Sequence, residues 1–249
     1  MSIKNGAVIL AAGEGKRMGS SLPKVLCPVL GRPMLDYVLD TCKSCVEDLC
    51  VVVGFKADVV RAHLGTTVQT VLQAQQLGTA HAVLQARSFI AAHAGGNILV
   101  VCGDAPLMDA KTVQGALAVH QQEHNVITVI TAELEDPASY GRIVKKDGQI
   151  CAIVERKDAD AQTLQIREIN SGAYWFQADL LLELLEQIGN DNAQHEYYLT
   201  DAVKIAIENG LAVRSYVADC PDVVMGANDP HQLELLNQCA RRHFCEAVD

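Results

Sequence analysis

Basic charge is scarce in this 249-residue chain, in which 20 lysines and arginines face 30 aspartates and glutamates for a formal net charge of −10. Nucleic acid and anionic membrane surfaces select for a basic field, so neither is an expected partner. Long hydrophobic runs are missing as well: no stretch approaches the roughly 20 apolar residues that span a bilayer. Ala7 to Ala12 is too short and too weakly flanked for a signal peptide, which makes the cytoplasm the expected location. There are no internal repeats and no low-complexity linker, so one compact unit with two lobes is expected. The nine cysteines lack the even count and regular spacing of a disulfide framework and read as reduced, mostly buried small hydrophobes. Cys42-Lys-Ser-Cys45 has redox or zinc spacing but no second ligand pair, and reads as helix surface plus core.

What is present points to a folded globular chain, 49% hydrophobic and 20% charged, long enough to bury a sizeable core. Val8-Ile9-Leu10 reads as a buried parallel strand. Strands at Leu49–Val53, Ile98–Cys102 and Val126–Thr131 alternate with helices near Met34–Val46, Ala57–Leu64, Thr79–His93 and Thr112–Glu123. Such alternation predicts βαβ units and a parallel sheet covered on both faces. After Asp136 the pattern changes. Asp147-Gly148 between Arg142–Lys146 and Ile150–Glu155 predicts a hairpin. A strand at Ile169–Phe176, helices near Leu180–Ile188 and Leu199–Asn209, a strand near Val213–Val217 and a final helix from Asp229 to about Phe244 follow. The second half is expected as an α+β lobe laid against the C-terminal ends of the first sheet, where open α/β sheets bind ligands.

Between Gly13 and Arg32 no secondary structure is expected, and a loop that long in a compact domain is usually functional. Gly13, Gly15 and Gly19 are spaced one residue too wide for a dinucleotide fingerprint, and Pro23, Pro28 and Pro33 block an immediate helix. Gly15-Lys16 is followed by Arg17 rather than Ser or Thr, which excludes a Walker A loop. What remains is a backbone cradle at Gly13 and Gly15 with Lys16, Arg17 and Lys24 supplying charge, suited to a polyphosphate. The bland alternative is a solvated basic loop.

Leu10-Ala11-Ala12-Gly13-x-Gly15-x-Arg17-Met18 followed by Pro23-Lys24-Val25-Leu26 resembles the signature of the sugar-1-phosphate nucleotidyltransferases. Gln73 to Ala82, Gly103-Asp104, Tyr140-Gly141-Arg142, Ile153-Val154-Glu155, Glu168-Ile169-Asn170, Glu196 to Asp201 and Gly226-Ala-Asn228 follow in the family's order. The resemblance covers nearly the whole chain and is strongest to the pyrophosphorylase domain of the bacterial bifunctional enzymes that make UDP-N-acetylglucosamine.

The resemblance implies a Rossmann-like, mostly parallel sheet flanked by helices, of GT-A-like type, with a smaller α+β sugar-binding lobe. Residues 1–136 would form the nucleotide lobe, 137–228 the sugar lobe and 229–249 a C-terminal helix. The implied reaction joins UTP and N-acetylglucosamine 1-phosphate into UDP-N-acetylglucosamine, a peptidoglycan precursor for cell wall biogenesis, and pyrophosphate; the alternatives are the same chemistry on another sugar 1-phosphate, such as glucose 1-phosphate, or another nucleotide, and a nucleotide-sugar-binding protein without turnover. Arg17 and Lys24 are the implied catalytic residues, with Lys16 a weaker candidate, and Asp104 and Asn228 would hold Mg²⁺. The nucleotide would meet Leu10, Ala11, Ala12, Gly13, Gly15, Gln73, Gly78 and Thr79, and the sugar Gly141, Glu155, Asn170, Tyr198 and Thr200. Read alone, Asp104 could instead cap a helix and Gln73 could be an exposed strand residue. Cys102 stands where the resembled enzymes often carry tyrosine and reads as a packing residue; His81 and His195 read as structural. No hexapeptide repeat of a left-handed β-helix is present, so acetyltransferase activity is not expected. The oligomeric state is left open.

Overall fold

Val8 to Leu10 lies within β1 (Asn5–Ala11), an interior strand of a computed structural model that describes residues 4–245. β1 pairs in parallel with β4 (Asp48–Val53) on one side and β6 (Asn97–Cys102) on the other. Outside β4 lies β5 (Gln69–Leu72), a parallel edge strand. Outside β6 lies β10 (Glu168–Gln177), antiparallel to β6 and to β7 (Ile127–Glu133), and β11 (Val213–Val217) closes the other edge parallel to β7. The hairpin of β8 (Arg142–Lys146) and β9 (Gln149–Val154) hangs from β10. Its turn has Asp147 at φ 51° and Gly148 at φ 77°, the left-handed pair that the Asp-Gly signal predicts. The nine-stranded sheet is mixed but mostly parallel, with helices on both faces.

Strand periodicity assigns the faces. Val8, Cys50, Val52, Ile98 and Val100 pack with α3 (Thr79–Gln85), α4 (Arg87–Ala91), α6 (Ala178–Gln187) and α7 (Asp201–Glu208). Their neighbours Ile9, Val51, Val53, Leu99 and Val101 pack with α1 (Met34–Cys45), α2 (Ala57–Leu64) and α5 (Ala110–Gln122). Trp175 is fully buried, and its indole Nε1 donates to Val113 O at 2.9 Å, tying β10 to α5. Fully burying such side chains is worth about 1.5–3 kcal/mol each.

The structure departs from the sequence reading in several places. β10 comes from the second half of the chain yet lies between β6 and β7. The sheet therefore runs across position 136, and the later segment enters the sheet instead of lying against its end. β5 was not expected, because as a short edge strand it buries too little for an apolar pattern. The helix expected over Thr79–His93 breaks at Ala86, whose N–H turns to Val83 O (2.9 Å) with no glycine or proline to announce it. The loop from Gly13 to Arg32 contains 3₁₀ turns at Lys16–Met18 and Lys24–Leu26 and a small ladder of β2 (Pro28–Val29) and β3 (Arg32–Pro33). α8 (Pro230–Cys245) lays Leu236 and Ala240 over Met18, Val29 and Met34, which holds that loop on the body of the protein. Residues 246–249 of the expected terminal segment lie outside the described residues. Among the described residues no helix is long and apolar enough to cross a membrane.

Candidate active site

The ends of β1 and β6 create the site. Leu10 and Cys102 are in register, and Gly103 N donates to Leu10 O at 2.9 Å, so the strands stay locked to their last residue and Asp104 emerges just beyond the edge. Asp104 caps no helix: Asp109 begins α5, its carboxylate accepting from Thr112 N at 2.7 Å.

The glycine-rich loop folds back over this edge. Gly15 has φ 61°, and a Cβ there would stand 2.7 Å from Lys24 Cβ, so only glycine lets the two ends of the loop meet. Gly13 has open space instead and no positive φ. Lys24 is mostly buried; its ammonium forms an ion pair with Asp104 Oδ2 and donates to Asn228 Oδ1 at 2.6 Å. Lys16 is exposed and pairs with Glu14 at 3.1 Å. Arg17 is exposed, faces the same cavity and has no polar partner among the described residues.

Asn228 is held from the C-terminal side. Gly226 packs on Asp104, where a Cβ would come 2.9 Å from its carbonyl oxygen. Asn228 N donates to Gln232 Oε1 and Gln232 N to Asp229 Oδ1, both at 2.8 Å, a variant of the capping box that opens α8.

Two cavities meet here, sharing Leu10, Thr79, Cys102, Asp104 and Asn228. The first is lined by Ala12, Gly13, Gly15, Arg17, Lys24, Gln73 and Gly78. Ala11 does not line it; that residue is buried in β1. Gln73 is buried, not an exposed strand residue, and its amide nitrogen donates to Gly78 O and to His81 Nδ1, both at 3.0 Å. Both amide protons are thereby used, and Oε1 is left as a free acceptor. His81 is structural, as expected, and serves to orient Gln73. Gly78 has φ 116°, and a Cβ there would fall 2.5 Å from Tyr197 O. Leu199 N donates to Thr79 Oγ1 at 2.9 Å, so the 196–200 segment is zipped onto the start of α3.

The second cavity is lined by Gly141, Glu155, Asn170 and Thr200. Asn170 lies at a β-bulge, where the register of β10 against β7 shifts between Asn170 and Ala173; such bulges re-aim side chains. Its Oδ1 accepts from Gly172 N at 3.1 Å. Burial raises the Glu155 carboxyl above its usual range, partly offset by the Thr200 hydroxyl, which donates to it at 3.2 Å. Tyr198 does not reach either cavity: it is buried and its hydroxyl has no partner. Tyr140 and Tyr174 line the second cavity without having been singled out for it, and Cys102, at the position where the resembled enzymes often carry tyrosine, lines both cavities. The Tyr140-Gly141 pair was a usable signal for the first; Tyr174 looked like an ordinary core residue of a strand. Burial pushes the Cys102 thiol up to about 12, which disfavours the thiolate that a nucleophile would need.

Among the described residues no three His, Cys, Asp or Glu side chains cluster as a metal cage. Asp104 and Asn228 still fit a divalent cation of the Mg²⁺ kind. They are hard oxygen donors brought together by one ammonium, and such an ion is commonly held by one or two protein oxygens plus substrate phosphates.

Residues 6–220 match the family model described as nucleotidyl transferase. The chain belongs to the nucleotidyl transferase family. This nucleotidyl transferase is 47% identical over 244 residues to a bifunctional protein GlmU of Exiguobacterium sp., with 97% of this chain and 54% of the relative covered. It is 48% identical over 229 residues to that of Brevibacillus brevis, with 91% and 50% covered. The chain thus spans about half the length of the curated relatives it matches. Its fold matches a crystal structure of UDP-glucose pyrophosphorylase complexed with UDP-glucose, with a TM-score of 0.77 at 17% identity over 97% of this chain and 99% of the other.

Proposed function

We propose that this nucleotidyl transferase is a Mg²⁺-dependent uridylyltransferase. It forms UDP-N-acetylglucosamine and pyrophosphate from UTP and N-acetylglucosamine 1-phosphate, supplying an activated sugar for cell wall synthesis in the cytoplasm. The observation that carries this reading is the junction of two cavities at Asp104 and Asn228 with Lys24 between them. A nucleotide in one cavity and a sugar phosphate in the other would meet at that point.

An oxygen of the sugar phosphate attacks the α-phosphorus of UTP, a new P–O bond forms, and the bond to the β-phosphate breaks with its electrons leaving on pyrophosphate. The nucleophile is already ionised at neutral pH, so no general base is required. The barrier is repulsion, about 4 kcal/mol per pair of unit charges at 4 Å and an effective dielectric near 20. Lys24 serves the reacting α-phosphate as a compact point charge, and Arg17, unpaired and exposed, serves the leaving pyrophosphate with its planar fork. Bound at Asp104 and Asn228, Mg²⁺ would supply further charge neutralisation and alignment of the phosphates. Leu10, Ala12, Gly13, Gly15 and Thr79 shape the nucleotide cavity. The free Gln73 Oε1 accepts from the uracil imide N–H, a donor that cytosine lacks at that position. Glu155 and Thr200 take sugar hydroxyls, Asn170 the acetamido group, and Gly141 offers its backbone.

Pyrophosphate release tests the reading, using UTP or CTP with N-acetylglucosamine 1-phosphate or glucose 1-phosphate, in Mg²⁺ and in a chelator. The expected result is turnover with UTP and N-acetylglucosamine 1-phosphate that disappears with the chelator. Preference for another pair, or undiminished turnover without a divalent ion, overturns it.

A further inference from the structure

Arg142 is 3% exposed and has no carboxylate partner among the described residues. Its guanidinium instead donates to backbone carbonyls: Nη1 to Tyr140 O and to Pro137 O (3.4 Å), Nη2 to Ala138 O (3.4 Å), while Nε is buried without a partner. A buried charge satisfied only by carbonyls is an expensive way to fill core space, and an apolar side chain of similar volume would be cheaper. What the charge does obtain is geometry. It gathers three carbonyls of the 137–140 turn, which includes Ala138 at φ 41°, an uncommon conformation for a non-glycine residue.

The position of Arg142 gives that geometry a use. On the backbone it pairs with Val154 and with Ile169, the residues immediately before Glu155 and Asn170, and it directly follows Gly141. Gly141 O in turn accepts from Asn170 N at 3.0 Å. On the far side of the clamped turn, the Tyr140 hydroxyl accepts from Gly226 N and donates to Val224 O, both at 3.3 Å. Gly226 lies two residues before Asn228 and packs on Asp104.

We propose that Arg142 is a positioning residue for sugar recognition, acting through the 137–140 turn to set Tyr140 and Gly141 against Glu155, Asn170 and the Gly226–Asn228 segment. The inference rests on the second cavity being the sugar site. It predicts that loosening the clamp weakens sugar-nucleotide binding far more than UTP binding, because the turn itself lines only the second cavity and reaches the first only through Asn228.

Calorimetric titration of the full chain tests it, with UTP, UDP-N-acetylglucosamine and UDP-glucose as probes. Arg142→Met is expected to lower affinity for the preferred UDP-sugar about tenfold, the loss of roughly one hydrogen bond's worth of positioning, with UTP affinity held within about twofold. Arg142→Lys, which keeps a charged donor, recovers most of the loss. Tyr140→Phe keeps the ring and the fold but removes the hydroxyl bridge, and gives a smaller loss in the same direction; it also decides the matter should Arg142→Met fail to fold. Equal losses for UTP and the UDP-sugar, no loss for either, or a lysine variant no better than methionine overturns the role of Arg142. A wild-type preference for UDP-glucose overturns the proposed sugar, and the Arg142 comparison is then read on UDP-glucose. Wild-type binding of UTP but of neither UDP-sugar overturns both.

Discussion

Lys24 Nζ lies 2.6 Å from Asn228 Oδ1, across 204 positions of sequence, and the same ammonium pairs with Asp104. One cation thus ties the glycine-rich loop, the end of β6 and the start of α8 into a single point.

Removing that cation tests the point directly. Lys24→Met is expected to lower kcat by about 10²–10³-fold, as loss of a preorganised donor does elsewhere. Lys24→Arg restores little, because a planar fork cannot replace a point charge at this depth. Steady-state pyrophosphate release measures both, with circular dichroism to show that the fold persists.

Gly78 and Gly13 make a contrasting pair. Gly78→Ala forces an alanine to φ 116° and puts its Cβ 2.5 Å from Tyr197 O, and is expected to cost on the order of 3 kcal/mol. Gly13→Ala meets open space and should change stability by less than about 0.5 kcal/mol. Urea denaturation distinguishes them. Equal costs would contradict the backbone argument.

Base selection is expected to depend on the orientation of Gln73. Gln73→Glu cannot donate to Gly78 O and His81 as the amide does and places a negative charge beside the nucleotide. KM for UTP should rise by about tenfold or more, with the UTP-over-CTP ratio reduced. Competition kinetics with mixed nucleotides reads the ratio.

Cys102 should behave as an inert wall. With its thiol pushed up to about 12 by burial, the folded protein is expected to resist alkylation there near pH 8. Cys102→Ser should retain turnover within about threefold, as an isosteric change at a group with no chemical role does. Peptide mapping after iodoacetamide treatment, with and without urea, checks the first expectation.

His120 makes stability depend on acid. It is buried against Thr128 and Asn97, and burial lowers its pKa to about 4. Because the unfolded chain binds the proton more tightly, stability rises with pH between about 4 and 6.5. The His120 contribution lost between pH 7 and pH 5 is about 2 kcal/mol. Urea denaturation at those two values should show a steeper loss in the wild type than in His120→Gln.

Much of the fold was legible because its elements carry local signals. The apolar runs of β1, β4 and β6, the Asp-Gly turn and the periodic face of α1 each advertise themselves within about a dozen residues. The edge strand β5 did not, since an exposed edge has no burial to mark in its pattern. The place of β10 did not either: an apolar strand of that length suits any position in the sheet, and only pairing with both β6 and β7 settles where it goes. At the site, the motif residues were legible through their glycines and charges. The clamp of Arg142 on carbonyls, the buried displacement of Tyr198 and the orientation of Gln73 by His81 were not, because each depends on partners brought close by folding.

The chain's own composition and spacing determined its class, a covered α/β sheet with a cationic glycine loop at one strand end, because periodicity and turn chemistry act over short distances. Tertiary structure alone decided that the Lys24 ammonium bonds to both Asp104 and Asn228 and that two cavities share their edge. Those relations come from strand order and from the packing of α8, and both arise only when distant segments exclude water together.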